Sequence, residues 1–420
     1  MKRSILVLNA GSSSLKFAVH ARQPDGRLAM QVDGQIADLY GTPRFEARDA
    51  GGAALGEKSP RTAQTHHEQE QRTAQTHQEQ PQSVEELGGN DPLEWLLGWL
   101  GAHAHAYDAV GHRVVHGGMH YAEAVRVDAA VLAALESLVA LAPLHQPHNL
   151  APIQRLAALQ PDLPQVACFD TAFHRTNSEL VQRYALPDAL HQRGIRRYGF
   201  HGLSYTYIAA ALSKFDARAA AGKCIVLHLG NGASLCALDG GVSVASSMGF
   251  SALDGIPMST RSGALDPGVL LHLMRTEGMD AAALEKLLYR ESGLLGISGV
   301  SGDMRALSSS ANPDAALAID VFVYRIVREI GSLMAALGGL DALVFTAGIG
   351  ENAANIRARV IDGLHWLGAR IDPLANARHG PCITSVDSQI IAWVIPTDEE
   401  GIIARQTLAV LDALIANRIE

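Results

Sequence analysis

The chain is short of cysteine, of lysine and of long apolar runs, and each shortage excludes something. Its four cysteines (Cys168, Cys224, Cys236 and Cys382) are scattered and form no CxxC pair. That argues against a disulfide framework or a zinc site and for a reduced, cytoplasmic protein. No apolar run approaches the ~20 residues of a membrane span. Lys2 and Arg3 before Ile5–Leu8 imitate a signal peptide faintly, but that apolar run is too short and polar residues begin at Asn9. The net charge of −9 leaves no basic excess for a nucleic acid or an anionic membrane. With only six lysines in 420 residues, any anion site must be local. GxSxG, HExxH and GxGxxG are missing, so nothing supports a hydrolase, a metalloprotease or a dinucleotide enzyme.

What is present suits two domains, since 420 residues exceed the roughly 250–300 at which single cores stop growing. Residues 4–19 open the chain. Ile5–Leu8 reads as a buried strand, and Leu15, Phe17 and Val19 alternate with Lys16 and Ala18 as a second strand. Between them, Asn9-Ala10-Gly11-Ser12-Ser13-Ser14 is a turn of small residues. Successive N–H groups in such a turn form an anion-binding concavity, and Lys16 adds charge at its rim. A Walker A loop would run into a helix, whereas this turn runs into a strand. An ordinary surface hairpin is the alternative.

Farther along, Arg61–Gln71 is repeated almost letter for letter as Arg72–Gln82. A tract of Gln, His, Thr and Glu buries no apolar surface, so a solvated loop is expected, with metal binding by its histidines a minor alternative. Helices are expected at 92–104, 127–141, 149–160, 314–338, 353–364 and 401–417. Strands are expected at 109–115, 166–169, 342–346 and 390–395. At an offset of 220, Ile225-Val226-Leu227 echoes Ile5-Leu6-Val7, and Ser234-Leu235 echoes Ser14-Leu15. Each half therefore opens with a strand, a small turn and a strand, which suggests a nucleotide held in a cleft between similar halves. A third glycine turn, Gly348-Ile349-Gly350-Glu351-Asn352, precedes a helix and offers a phosphate contact.

Five clusters carry the remaining candidate chemistry: Gly111–Gly118 with Arg113, Leu144–Asn149 with His145, Phe169–His174 with Asp170, Tyr198–Gly202 with His201, and Met258–Gly263 with Arg261. Singly, each arginine suits a surface ion pair and each histidine a buried polar group. Together they suit phosphoryl transfer, whose transition state spreads negative charge that positive donors and a metal must surround. In Thr397-Asp398-Glu399-Glu400, Thr397 and Glu400 fit a capping box. That leaves Glu399 as the metal candidate, with interaction at the helix dipole as its alternative role.

Asn9–Lys16, Gly111–Gly118, Phe169–His174, Tyr198–Gly202, His228–Ser234, Met258–Pro267 and Phe345–Asn352, in that order, resemble the acetate kinase family over nearly the whole chain. The resemblance implies an α/β fold, the duplicated actin-like ATPase fold of sugar kinases and heat-shock ATPases. Its domains would be 1–171 plus 401–420, with a low-complexity insert at about 56–83, and 172–400. It implies a cytoplasmic homodimer that moves phosphate between ATP and a short carboxylate with Mg²⁺ (Mn²⁺ as substitute). Neither nucleic acid nor membrane is expected as a partner.

The implied roles follow residue by residue. Asn9 and Glu399 belong to the metal site, and Lys16, Ser12 and Ser14 to the phosphate site. Arg113 and Arg261 hold the carboxylate and the transferring phosphoryl group. Asp170 places the metal or the nucleophile, His201 stabilises equatorial charge and His145 assists nearby. His228, Leu229, Gly230, Asn231 and Gly232 contact phosphates. Asp303, Met304, Arg305 and Gly348, Ile349, Gly350, Glu351, Asn352 contact the adenosine part. Val115, Leu144, Phe200 and Ala252 line the acyl pocket.

Ser259, Ala264, Ala252, Tyr205 and Asp398 stand where the family usually has Gly, Asp, Pro, His and Asn. Ala252 in place of Pro widens the pocket, which brings propionate in beside acetate. A broad short-chain acyl kinase is the nearest alternative. A non-catalytic actin-like ATP-binding protein is the alternative of a different class, but it would not need Arg113, Asp170, His201, Arg261 and Glu399 together.

Overall fold

The computed structural model describes residues 3–11, 13–39, 42–55 and 91–416, with backbone alone at 82–83. The duplicated tract, apart from its last residue, and Ser12 lie outside the described residues. The chain forms two compact units. Unit 1 comprises Met1–Val115, Glu123–Cys168 and Glu400–Glu420, and unit 2 comprises His116–Ala122 and Phe169–Glu399.

Unit 1 is built on an eight-stranded sheet ordered β5-β4-β3-β2-β1-β6-β8-β7. Its strands are β1 (Ser4–Ala10), β2 (Ser14–Arg22), β3 (Leu28–Ala37), β4 (Arg44–Asp49), β5 (Gln82–Ser83), β6 (Ala109–Val114), β7 (Val125–Arg126) and β8 (Gln165–Phe169). The small turn after Ala10 reverses β1 onto β2, with Asn9 opposite Lys16. β6 then returns parallel to β1, a pairing that requires a crossover. The helix Pro92–Ala102 lies in that crossover. It starts where Asp91 accepts from Leu93 N–H at 2.9 Å, a side-chain cap. The chain's sparse aromatics gather beneath this helix. The Phe45 ring lies 4.6 Å from Trp95 and 4.8 Å from Trp99, and Phe17 stacks on Phe45 at 5.9 Å. A fully buried side chain of this size is worth about 1.5–3 kcal/mol, so a few rings suffice to centre this core.

Unit 2 repeats the central order. Its sheet runs β11-β10-β9-β12-β13, with β9 (Lys223–Leu229), β10 (Ala233–Asp239), β11 (Val242–Ser246), β12 (Ala342–Thr346) and β13 (Ile391–Val394). As in β3-β2-β1-β6, three antiparallel strands are followed by a strand parallel to the first. The echo between residues 5–15 and 225–235 is thus a repeat of topology. The crossover carries the helix Pro313–Leu337, started by Asn312 and Pro313 and ended by Gly338 at φ +66°. Ile319, Phe322, Ile326, Ile330 and Leu333 form its buried stripe. The scarce cysteines serve as small core residues. Cys168, Cys224 and Cys236 are buried, and burial pushes the thiols of Cys168 and Cys236 up to about 12.

Several elements depart from the sequence expectation. The helix expected at 127–141 is Ala129–Ser137 followed by a 3₁₀ turn at Val139–Leu141. The helix expected from 149 begins at Gln146, because Pro147 is favourable in a first turn. Ala18 is buried although the alternation places it outside. The glycine stretch after β12 is itself helical, Ala347–Asn352, and a second helix, Ala354–Asp362, follows it. Arg357 explains the break. Its buried guanidinium donates to Gly350 O at 2.9 Å and Glu351 O at 2.7 Å. These carbonyls close the first helix and need partners once it stops.

Candidate functional site

In unit 1 the candidates collect at the ends of β1 and β6. Asn9 is buried, and its amide is held from both sides. Arg113 Nη1 donates to Asn9 Oδ1 at 3.3 Å, and Asn9 Nδ2 donates to Glu400 Oε1 at 3.1 Å. The carboxylate against Asn9 is therefore Glu400, which the capping-box reading had assigned to the helix. That reading is corrected. Thr397 N–H goes to Glu351 Oε1 at 3.2 Å, and Thr397 Oγ1 accepts from Ser204 at 3.0 Å. Glu399 is the first residue of the helix Glu399–Ala416 and falls in unit 2. Lys16 is exposed opposite Asn9, and Ser14 opens β2.

The ends of β1 and β6 are tied by a residue that went unassigned in the sequence. Asn149 Oδ1 accepts from Val115 N–H at 2.8 Å, and its Nδ2 donates to Ala10 O at 2.6 Å, both in buried surroundings. Asn149 rides on the helix Gln146–Leu159, with His145 at the N-cap position and half-buried Leu144 just before it. The helix Glu399–Ala416 packs over Gly111 of β6. A Cβ there would run into Thr407 Oγ1 and lie 2.7 Å from Ile403 Cγ2. That close approach seats the helix start that carries Glu400.

In unit 2 the candidates meet around the turn between β9 and β10. His201 stands at φ +58° just before the helix Gly202–Leu212. Its ring stacks on that of His228, with centroids 4.2 Å apart and planes 18° from parallel. Gly232 sits against both His201 and Arg261. A Cβ on it would lie 3.2 Å from His201 Nε2 and 3.7 Å from Arg261 Nη1. Arg261 Nη1 donates to Ala252 O at 3.0 Å, which ties the guanidinium to the predicted acyl-pocket residue. Ser259 Oγ donates to Asn231 Oδ1 at 3.3 Å. Asp170 is buried at the end of β8, and its carbonyl accepts from Gly202 N–H at 2.9 Å. Phe200 is buried, and its carbonyl is held by His174 Nε2–H at 2.9 Å. Burial lowers His174 to about 4, so it stays neutral and structural.

A cavity of about 510 Å³ opens in the same unit. It is lined by eight of the sequence candidates: Gly230, Asn231, Asp303, Met304, Arg305, Gly348, Ile349 and Asn352. Ser308, Ala353 and Asn355 complete the wall and were missed, since none of them belongs to a glycine turn or a charged motif. Leu229, Gly232, Gly350 and Glu351 are not in that wall. Glu351 instead joins two strand ends, accepting from Ala347 N–H at 2.8 Å and from Thr397 N–H. Asp303 caps the helix Met304–Ser309 by accepting from Arg305 N–H at 2.7 Å. Its ion pair with the Arg305 guanidinium holds its carboxyl down at about 2. The wall sets three asparagines and the Asp303–Arg305 ion pair among small and apolar residues, the mix of an apolar cleft and a few polar groups that small-ligand sites use.

The model of the Acetokinase family matches residues 4–405. Acetate kinase of Nitrobacter hamburgensis is 50% identical over 409 residues, covering 97% of this chain and 96% of that protein. Acetate kinase of Rhodopseudomonas palustris is 47% identical, covering 98% and 99%. Among solved structures, a propionate kinase from Francisella tularensis superposes with a TM-score of 0.82 at 35% identity, covering 97% of this chain and all of that one. Porphyromonas gingivalis acetate kinase gives 0.79 at 34% identity with the same coverage.

Proposed function

The chain belongs to the acetokinase family and is a kinase, and from that premise we propose that it transfers the γ-phosphoryl group of ATP to acetate. The products are acetyl phosphate and ADP, and the transfer is direct and in line. The observation that carries the reading is the cavity that gathers Gly230, Asn231, Asp303, Met304, Arg305, Gly348, Ile349 and Asn352 in the unit that also holds Gly232, His201 and Arg261 together. Nucleotide would occupy the cavity, with its phosphates toward Gly232.

The acceptor carboxylate is already anionic, so no base need deprotonate it. Asp170 accordingly acts in placement. Arg261 and His201 supply donors for the transferring group, and Arg113, Lys16 and His145 are assigned further positive or polar contacts. Asn9 and Glu399 would hold Mg²⁺, with Glu400 fixing the Asn9 amide. Their oxygens are the hard donors that Mg²⁺ takes, and an ion that keeps several waters and substrate phosphates needs few protein ligands. Bound Mg²⁺ supplies charge neutralisation on the phosphate oxygens.

The acyl methyl is assigned to the apolar side chains of Val115, Leu144, Phe200 and Ala252. Alanine at 252 favours propionate as a second substrate, and one methylene is worth only about 1–3 kcal/mol. The exposed apolar residues Val269, Leu271 and Met274, on a helix with no buried residue, support a homodimer. Among the described residues no helix is long and apolar enough to cross a membrane, and we place the enzyme in the cytoplasm. Trapping acyl phosphate with hydroxylamine, using ATP, Mg²⁺ and a C1–C4 acid series, tests the reading. Acetate and propionate should both give hydroxamate, and no product from any of the acids would overturn it.

A further inference from the structure

His201 can serve the transferring group only through its Nε2 edge, because Nε2 is the atom that faces Gly232. Which proton sits there is decided behind the ring. His201 Nδ1 lies 2.8 Å from Ser234 Oγ, and Ser234 Oγ lies 2.5 Å from Tyr205 Oη. Tyr205 and Ser234 are fully buried. Among the described residues, Ser234 Oγ is the single hydrogen-bond partner of the Tyr205 hydroxyl. A buried phenol that does not donate is left unsatisfied, and burial pushes Tyr205 far above its ordinary range, so it keeps its proton. Tyr205 therefore donates to Ser234. The Ser234 oxygen could accept twice, but among the described residues its single proton finds no acceptor other than His201 Nδ1, so Ser234 donates to His201.

The stacked partner is wired the other way. His228 Nδ1 lies 2.9 Å from Ser204 Oγ, and Ser204 donates its proton to Thr397 Oγ1 at 3.0 Å. His228 must then be the donor into Ser204, with its proton on Nδ1. We propose that Tyr205 and Ser234 are positioning residues that lock His201 as its Nε2–H tautomer, while Ser204 and Thr397 lock His228 as the opposite one. A neutral His201 can then donate to a phosphoryl oxygen from a direction fixed before substrate arrives, which is the preorganisation charge stabilisation requires. This rests on the kinase reading for its catalytic meaning, but the tautomers themselves do not.

The test uses the full-length enzyme without substrates, labelled with ¹⁵N-histidine, at a pH of about 8.5, above the ordinary imidazole pKa. Long-range ¹H–¹⁵N correlation spectra should show His201 protonated at Nε2 and His228 at Nδ1, assigned by loss of signals in His201→Asn and His228→Asn. Ser234→Ala should convert His201 to a mixture or to the other tautomer, and Ser234→Thr should restore it. In turnover, Ser234→Ala and Tyr205→Phe should lower kcat between about tenfold and a hundredfold, less than the roughly 10²–10³ for deleting a transition-state donor, with KM for ATP nearly unchanged. His201 protonated at Nδ1 in the wild type, or a Ser234→Ala enzyme unchanged in both tautomer and kcat, overturns the proposal. Correct tautomers in an enzyme that makes no acyl phosphate would instead overturn the function and leave this assignment standing.

Discussion

Replacing Asn149 probes how unit 1 holds its candidate residues in register. Its side chain makes two buried hydrogen bonds, to Val115 N–H and to Ala10 O, one to each strand that bears a candidate. Asn149→Leu is nearly isosteric but leaves a buried donor and a buried acceptor without partners. Each orphaned group costs about 1–3 kcal/mol, so the loss should be about 2–6 kcal/mol. Asn149→Asp makes a sharper test. The Val115 bond survives, but a carboxylate oxygen would now face the Ala10 carbonyl at the distance of the present 2.6 Å bond. Only the protonated acid can donate there, so the folded state raises the pKa of the introduced carboxyl above its unfolded value of about 3.9. The folded state then binds more protons than the unfolded one as pH rises above about 4, and stability falls by up to about 1.4 kcal/mol per pH unit until the raised pKa is passed. Urea unfolding can be followed by the fluorescence of Trp95 and Trp99, which sit in the core of this unit. Asn149→Asp should be less stable at pH 7 than at pH 4.5 relative to wild type. An Asn149→Leu midpoint equal to wild type, or an Asn149→Asp loss independent of pH, would refute the clamp.

Three further outcomes follow from the same geometry. Arg261→Ala should greatly reduce kcat/KM while the circular dichroism spectrum and unfolding midpoint hold, and an unchanged kcat/KM would remove Arg261 from the chemistry. Gly232→Ala places a methyl 3.2 Å from His201 Nε2 and 3.7 Å from Arg261 Nη1, so kcat should fall at least about tenfold, as expected for a small misplacement of reacting groups; a KM effect alone would argue that the two side chains do not act there. His112, His116 and His174 are all lowered to about 4 by burial. Below about 6.5 the unfolded chain protonates them and the folded one does not, so stability falls with decreasing pH by about 1.4 kcal/mol per unit for each histidine. Over the full window the three exceed half of a typical 5–15 kcal/mol stability, so Tm should drop steadily from pH 7 to pH 5, and a flat profile would contradict neutral burial.

Local signals carried far in this sequence. The strand–turn–strand units were legible because an apolar run, small residues and a second run are contiguous, and the helix Pro313–Leu337 was legible because Pro313, the periodic stripe and Gly338 all lie within it or at its end. Eight of the eleven residues that line the cavity were named through the family resemblance, and Ser308, Ala353 and Asn355 were not. What failed was whatever depended on a partner distant in sequence. Thr397 and Glu400 have capping-box spacing, yet Glu400 answers to Asn9, 391 positions away. The Gly348–Asn352 stretch reads as a loop because glycine is a poor helix former, and only Arg357 shows why one turn of helix can form and stop there. Asn149 was noticed for its neighbours rather than its own work, since nothing in residues 144–149 reveals Ala10 or Val115.

The two hairpins show how one topology was put to two uses. In β1–β2 the pair before the last is Asn9 opposite Lys16, and in β9–β10 it is His228 opposite Ser234. The pair before the last thus carries an amide and an ammonium in one hairpin, an imidazole and a hydroxyl in the other. Each first member is fixed by side chains from elsewhere in its own unit: Asn9 by Arg113 and Glu400, and His228 by Ser204 and the His201 ring. A strand end before a small turn is suited to this, because the ladder holds its backbone while the turn leaves room for a ligand. The repeat thus offers two rigid positions, one holding an amide whose oxygen accepts from Arg113, the other an imidazole that hydrogen-bonds Ser204 through Nδ1. Exchange of Asn9 for His should therefore preserve the hairpin while breaking the contacts to Arg113 and Glu400. Unit 1 should lose no more than the roughly 1–3 kcal/mol that each broken contact costs, with turnover lost, whereas a collapse of stability would mean that this position serves the fold first.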